Sequence, residues 1–316
     1  MKQNAQPGNK STGVINKPAM PDPKVSYNRT RIAPTPSGFL HIGNVLSFAI
    51  TAALAKQSGA KTLLRIDDID QARADKQYVQ DIFDTLNFLE IPWGEGPRDV
   101  KQFEDEYSQL HRMGLYNEAL KHLQDNELVY ACDCSRKQLS ESTCSCYEKQ
   151  LSLTAAYDVS WRLITSPSNK LIIKNYNGEL IQAILPAEMN NFVVRRKDGF
   201  PAYQLTSVID DLYYGVDLVV RGEDLWHSTL AQPQLAIALG RKDFNNITFY
   251  HHPLIKDSAG NKLSKSAGAT SIKYLREQGK SASDVYQVIG NMMGFKKIIS
   301  SWSQLADVIL VGERKI

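Results

Sequence analysis

Two short stretches of this chain carry residue types suited to handling phosphate. Lys262-Leu263-Ser264-Lys265-Ser266 lies between Asp257-Ser258-Ala259-Gly260-Asn261 and Ala267-Gly268, a polar, loop-like setting. Two ammonium groups flanking a serine can neutralise a triphosphate, above all where its charge peaks in a transition state. Far upstream, His41-Ile42-Gly43-Asn44 follows the turn-forming run Pro34-Thr35-Pro36-Ser37-Gly38 and begins a helical pattern. A helix start offers unpaired N–H groups and the positive end of the dipole, which suit an anion. Gly43 lets a nucleotide approach the backbone, and His41 can donate to phosphate oxygens as charge develops. A third group, Cys132, Cys134, Cys144 and Cys146, holds all four cysteines of the chain. In a reducing compartment such a cluster suits a tetrahedral soft-metal site better than disulfides, and zinc is the expected ion.

The elements that must position these residues read as α/β. Arg31-Ile32-Ala33 is a short buried strand; Leu46, Ile50, Ala53 and Leu54 recur at helical spacing; Gly59 is a helix stop; and Thr62 to Ile66 is the next strand. Strand, turn, helix, strand opens a parallel unit. Tyr78, Ile82, Leu86 and Leu89 mark a second helix, a third is expected from about Glu104 to Asp125, and Leu128-Val129-Tyr130-Ala131 leads to the cysteines. From about 155 to 200 short strand-like runs such as Val159 to Leu163 and Phe192 to Val194 alternate with turn signals, which predicts an insertion. The α/β pattern resumes with Leu218-Val219-Val220, a helix near 228–239 and the strand Ile247 to Tyr250, and the remainder reads as helical.

A chain of 316 residues with 42% apolar content can bury a full core, and a net charge of +3 gives composition no strong bias toward a polyanionic partner. No stretch approaches the roughly 20 apolar residues of a membrane span, and the N-terminal segment lacks the apolar core of a secretory signal. A cytoplasmic monomer with no membrane partner is expected. The boundaries expected are a disordered tail over 1–27, the first half of the nucleotide-binding domain over 28–130, the cysteine-containing insertion over 131–200, the second half over 201–275 and a helical segment over 276–316.

In this order, RIAPTPSGFLHIGN and KLSKS resemble the HIGH and KMSKS signatures of class I aminoacyl-tRNA synthetases. Arg65-Ile66-Asp67-Asp68-Ile69-Asp70, Trp93-Gly94-Glu95-Gly96-Pro97, Ala202-Tyr203-Gln204-Leu205, Asp210-Asp211, Val220-Arg221-Gly222-Glu223-Asp224 and His252-Pro253-Leu254 narrow the resemblance to glutamyl-tRNA synthetases, over about residues 29–275. It implies a Rossmann-type nucleotide-binding domain with an inserted cysteine-containing α+β subdomain that holds the RNA acceptor. It also implies ATP with Mg2+, L-glutamate and a tRNA as partners. The glutamate pocket is then expected from Arg31, Thr35, Asp67, Tyr203 and Arg221. The two arginines would serve the carboxylates, in an order the sequence leaves open, and Asp67 stands where the family has a glutamate facing the ammonium. His41, Lys262 and Lys265 would be catalytic, with His41, Gly43, Asn44 and Lys265 on ATP. Zinc would take Cys132, Cys134, Cys144 and Cys146, with Tyr147 open as a substitute ligand.

About fifty residues follow Ser266, too few for the further helical anticodon-binding domain of translational enzymes. With the compact cysteine insertion, and Ser207 where translational enzymes carry an amide, this resembles the glutamyl-queuosine tRNA(Asp) synthetase family. Its members attach glutamate to queuosine in the anticodon loop of tRNA(Asp). A minimal glutamyl-tRNA synthetase charging the 3′ end is the runner-up, and a non-catalytic RNA-binding or amino-acid-sensing paralogue is the alternative of another class.

Overall fold

The computed structural model describes residues 25–141, 144–154, 158–166, 168–255 and 271–311. The tail before residue 25 and the lysine motif at 262–266 lie outside the described residues.

A six-stranded sheet organises the chain in the order β2-β1-β8-β9-β5-β6. β1 (Arg29–Ile32), β2 (Lys61–Leu64), β8 (Leu218–Gly222), β9 (Thr248–His252) and β5 (Leu171–Asn175) run parallel, and β6 (Leu180–Ala183) closes the edge antiparallel. From β1 the chain passes through helix α1 (Ile42–Ser58) to β2 on one side; from β8 it passes through the helix Trp226–Ala238 to β9 on the other. The carboxyl ends of β1 and β8 therefore flank a topological switch point, where a crevice opens in sheets of this kind.

α1 is apolar almost all round, and only Lys56 and Gln57 are exposed along it. Such a helix needs cover on every face. The sheet supplies one side, and the helices Ala282–Met292 and Trp302–Val311 supply the other. It ends at Gly59, in the left-handed region at φ 75°. On the far face of the sheet a second core gathers the helices Met113–Asp125, Tyr203–Tyr213 and Trp226–Ala238. Helix α2 (Lys76–Phe88) flanks the first core. Tyr27 is already buried, stacked on Tyr176 at 5.9 Å.

Two features differ from the sequence expectation. The helix expected from Glu104 to Asp125 is broken: residues 103–107 form a π turn, Ser108 is extended at ψ 142°, and a regular helix starts only at Met113. Buried acceptors cause the break, because Ser108 Oγ and the Gln109 N–H both donate to the Asp68 carboxylate, at 2.6 and 2.7 Å. The second difference concerns residues 171–183, inside the stretch expected as an insertion. They form a hairpin over Asn177-Gly178 that pairs with β9 at Lys174 and Asn175 and so extends the large sheet. β3 (Val129–Cys132), β4 (Ser160–Leu163) and β7 (Val193–Arg195) form the separate three-stranded antiparallel sheet.

The loop after α2 returns to the sheet edge, where Glu95 C=O accepts from the Leu64 N–H at 2.9 Å. Gly96 turns there at φ 93°, and a Cβ on it would lie 2.2 Å from the Leu64 carbonyl oxygen. Gly96→Ala combines left-handed strain with a backbone clash and is expected to cost about 3 kcal/mol. Urea unfolding should show a lower midpoint at unchanged slope; an unchanged midpoint would mean that the loop yields at no cost.

Candidate active site

At the switch point a cavity of about 700 Å³ is lined by Arg31, Thr35, His41, Gly43, Asn44, Asp67, Tyr203 and Arg221, eight residues from five separate stretches of sequence. Each is placed by a neighbouring element. Arg31 lies on β1 and Arg221 on the adjacent β8. Asp67 follows β2, and its N–H donates to the Pro34 carbonyl at 2.9 Å. Tyr203 begins the helix 203–213 at the cavity mouth, 43% exposed.

His41 is the N-cap of α1. Its Nδ1 accepts from the Gly43 N–H at 3.1 Å, and its own N–H donates to Asn44 Oδ1 at 3.1 Å, a reciprocal capping pair. With Nδ1 accepting, the neutral ring carries its proton on Nε2, the tautomer that donates to an anion. A Cβ at Gly43 would approach His41 Cε1 to 3.0 Å, so a larger residue here would press on the imidazole by a few tenths of an ångström.

Deeper in, three guanidiniums and two carboxylates are buried together. Asp211 Oδ1 accepts from Arg31 Nε at 3.1 Å and Arg65 Nη1 at 2.7 Å, while Arg65 also grips both oxygens of Asp67 at 2.7 and 3.0 Å. Arg221 donates through Nη2 to Gln232 at 2.8 Å and stacks on Phe249 at 4.9 Å, but its Nε and Nη1 are buried with no hydrogen-bond partner. Asp211 Oδ2 is likewise unpartnered. Burial pushes the Asp211 carboxyl up, and the Arg31, Arg65 and Arg221 charges outweigh that, so it stays below the usual carboxylate range. For Asp67 burial prevails over Arg65 and the group is raised. Burial, with repulsion from Arg31 and Arg65, brings Arg221 down to about 10.

The five groups sum formally to +1, and two donor atoms of Arg221 lack acceptors. Buried charges are tolerated when paired, so an anionic guest that brings acceptor oxygens would satisfy the open Arg221 donors. A dicarboxylate carrying one ammonium meets that description.

Sequence reasoning missed Arg65 and Asp211 as site residues, although both stood in quoted motifs. The usable signal was a charge inside an apolar stretch: Arg65 within Leu63-Leu64-Arg65-Ile66, and Asp211 after Val208-Ile209 on a helix. It also missed Gln109, fully buried where the helix breaks. Its side chain accepts from the Ile69 N–H at 2.7 Å and donates to Asp210 at 2.9 Å, tying the segment after Asp67 to the residue before Asp211. His252, on β9, lines the cavity with Nδ1 beside the Pro253 carbonyl at 2.9 Å, and its Nε2 is buried without a partner. Ser207 is buried one turn beyond Tyr203, its hydroxyl unpartnered. Lys262 and Lys265 lie outside the described residues.

The cysteines form a second centre at the end of the three-stranded sheet. Ligand atoms of Cys132, Cys134, Cys144 and Cys146 all lie within 4.8 Å of one another, and neighbouring sulfurs are 3.4 to 3.9 Å apart. Disulfides are absent, since those distances far exceed a bond of about 2.05 Å. A tetrahedron with Zn–S bonds of ~2.3 Å has edges of about 3.8 Å, so the four sulfurs match a closed tetrathiolate site. Burial raises the Cys132 thiol and Arg162 more than offsets it, to about 7. Tyr147 is 56% exposed, its ring edge-on to Tyr130 at 5.4 Å.

Comparison with known proteins agrees with this geometry. The family described as tRNA synthetases class I (E and Q), catalytic domain, matches residues 28–170 and 173–298. A glutamyl-Q tRNA(Asp) synthetase of Synechococcus sp. is 33% identical over 90% of this chain and 88% of its own length. Its counterpart in Symbiobacterium thermophilum is 35% identical over 84% and 86%. A glutamate–tRNA ligase 2 of Syntrophus aciditrophicus is 33% identical over 79% of this chain, which spans only 54% of that protein. Among solved structures, the glutamate-tRNA synthetase of Elizabethkingia anophelis superposes with a TM-score of 0.70 at 21% identity, over 89% of this chain and 65% of that one, a likeness of fold.

Asp211→Asn should leave three guanidiniums facing one carboxylate. Removing one partner of a buried ionic set costs roughly 3–5 kcal/mol, readable as a lower urea midpoint. A variant as stable as the parent would show that Asp211 does not hold the cluster together.

Proposed function

The chain belongs to the catalytic-domain family of class I tRNA synthetases for Glu and Gln, and from that premise we propose that it activates L-glutamate with ATP and transfers it to queuosine in the anticodon loop of tRNA(Asp). The observation that carries the activation step is the single cavity joining a formally +1 arginine cluster to the His41 helix start. One half suits an amino acid with two carboxylates, and the other suits a phosphate chain.

In the proposed reaction the glutamate α-carboxylate attacks the α-phosphorus of ATP, giving glutamyl adenylate and pyrophosphate. An RNA hydroxyl then attacks the activated carbonyl and releases AMP. No protein nucleophile is required, so catalysis is positioning and electrostatics. Arg221, with its two unpartnered donors, takes one carboxylate, and Arg31, oriented by Asp211, takes the other. Asp67 faces the ammonium, its charge shared with Arg65. Thr35 and Tyr203 frame the mouth of the same pocket. The His41 Nε2–H and the positive end of the α1 dipole bind phosphate, with Gly43 and Asn44 lining the approach and, from outside the described residues, Lys262 and Lys265. Mg2+ accompanying ATP offsets phosphate charge. Zinc on the four cysteines stiffens the insertion that holds the RNA.

Queuosine as acceptor is supported by the names of the relatives matched over most of their own length. The relatives named glutamyl-Q tRNA(Asp) synthetase are matched over 88% and 86% of their length, against about half of the glutamate–tRNA ligase. Labelled glutamate, ATP and tRNA(Asp) with or without queuosine, and with or without its terminal adenosine, decide the matter. Label is expected on queuosine-bearing RNA whether or not the terminal adenosine is present. Label that requires the terminal adenosine and ignores queuosine would identify a 3′-charging enzyme, and no label on any RNA together with no ATP–pyrophosphate exchange would leave a non-catalytic paralogue.

Elemental analysis should find one zinc per chain, kept in Tyr147→Phe and lost in Cys146→Ser with a lower melting temperature. Zinc lost from Tyr147→Phe would instead make the tyrosine a ligand.

A further inference from the structure

The residue before His41 is held from two sides through the two peptide groups that flank its Cα. The Leu40 N–H donates to Asp81 Oδ2 at 3.0 Å, and the Leu40 carbonyl accepts from the Ile272 N–H at 2.8 Å. His41 also bridges Ser271, where the described chain resumes after the segment containing the lysine motif, and Ser271 caps the helix Ile272–Glu277. Leu40 and Asp81 are 3% and 4% exposed, so neither the peptide nor the carboxylate has bulk water as a ready substitute.

The same helix steadies the approach to this point. The Asp75 N–H, at the α2 cap, donates to the Pro36 carbonyl at 3.2 Å, and Phe39 packs edge-on to Tyr78 at 4.9 Å. On the outer side Lys273 Nζ sits 4.3 Å from the centre of the Phe39 ring. Asp81 is thus the one side chain of α2 that bonds the backbone next to His41, and it does so from outside the substrate cavity.

We propose that Asp81 is a positioning residue for adenylate formation, fixing through the Leu40 backbone both the His41 helix start and the Ser271 end of the lysine-motif segment. The proposal rests on the glutamate-activation reading for its kinetic consequence, but its structural half is independent of it. Without Asp81 the Leu40 N–H loses its acceptor, the Phe39–Leu40 peptide can rotate, and through the Leu40 torsions the Leu40–His41 peptide that accepts from Ile272 shifts with it, carrying His41 and Ser271 together. A displacement of about 1 Å in a group far from the chemistry can lower rate on the order of 10²-fold.

Two variants and two measurements test this. In Asp81→Val, amide hydrogen exchange should rise in peptides covering both residues 39–44 and 271–275, and kcat for ATP–pyrophosphate exchange should fall between ~10- and 10²-fold, with the KM for glutamate within about twofold. Asp81→Asn keeps an acceptor oxygen and should restore both exchange protection and most of kcat. A general loss of fold would raise exchange throughout the chain and would not separate kcat from KM. Unchanged protection at either peptide, an equal deficit in Asp81→Asn and Asp81→Val, or a kcat unaffected by Val would overturn the proposal. A parent protein inactive in pyrophosphate exchange, whose Val variant still loses protection at both peptides, would sink the activation reading and leave the positioning role standing.

Discussion

The pairing of buried guanidiniums with buried carboxylates governs how this protein is put together. Arg31, Arg65 and Arg221 come from three neighbouring strands or strand ends, and Asp211 meets the first two from a helix on the far face of the sheet. Deeply buried guanidiniums are costly unless carboxylates reach them with good geometry, as they do for Arg31 and Arg65. The helix 203–213 must therefore lie against the carboxyl ends of β1 and β8, and the segment after β2 must turn so that Asp67 faces Arg65. Of these three guanidiniums Arg221 is the one left with unpartnered donors, and on the proposed reading it is the recognition group. On the proposed reading, the electrostatic deficit that a glutamate ion removes is the same one the fold is arranged to tolerate.

The polar layer behind this cluster explains why the fold departs from simple periodicity. Apolar spacing alone favours one long helix through residue 125, and it finds the correct face from Tyr116 to Leu123. It cannot register that Asp68 and Asp210 are buried acceptors needing donors. Ser108 and Gln109 leave helical geometry to meet Asp68, and Gln109 and Arg112 then satisfy Asp210. A π turn beside a site is a frequent sign of such a conflict, in which local preference gives way to a buried hydrogen-bond demand.

Much of the site was readable because motif residues lie at strand ends and helix starts. The eight described residues expected to bind substrates share one cavity, and the class I synthetase fold follows from the same stretches. What stayed hidden was partnership across the chain. Asp211 in sequence is only an acid on a helix; that it gathers Arg31 and Arg65 depends on which strands lie side by side. The β5–β6 hairpin was obscured for a related reason. Its alternating Leu171 and Ile173 bury one face, but nothing local says which sheet that face joins.

The burial of α1 bears on when this protein can become competent during synthesis. The helix that presents His41 forms early in the chain, yet the surface opposite the sheet is covered by Ala282–Met292 and Trp302–Val311, the last helices described. A nascent chain emerging from the ribosome must hold an apolar helix with one side bare until those final segments appear. The nucleotide end of the cavity is therefore assembled late, after most of the chain has been made. That order of synthesis leaves one apolar face of α1 without its cover until the last described helices are made.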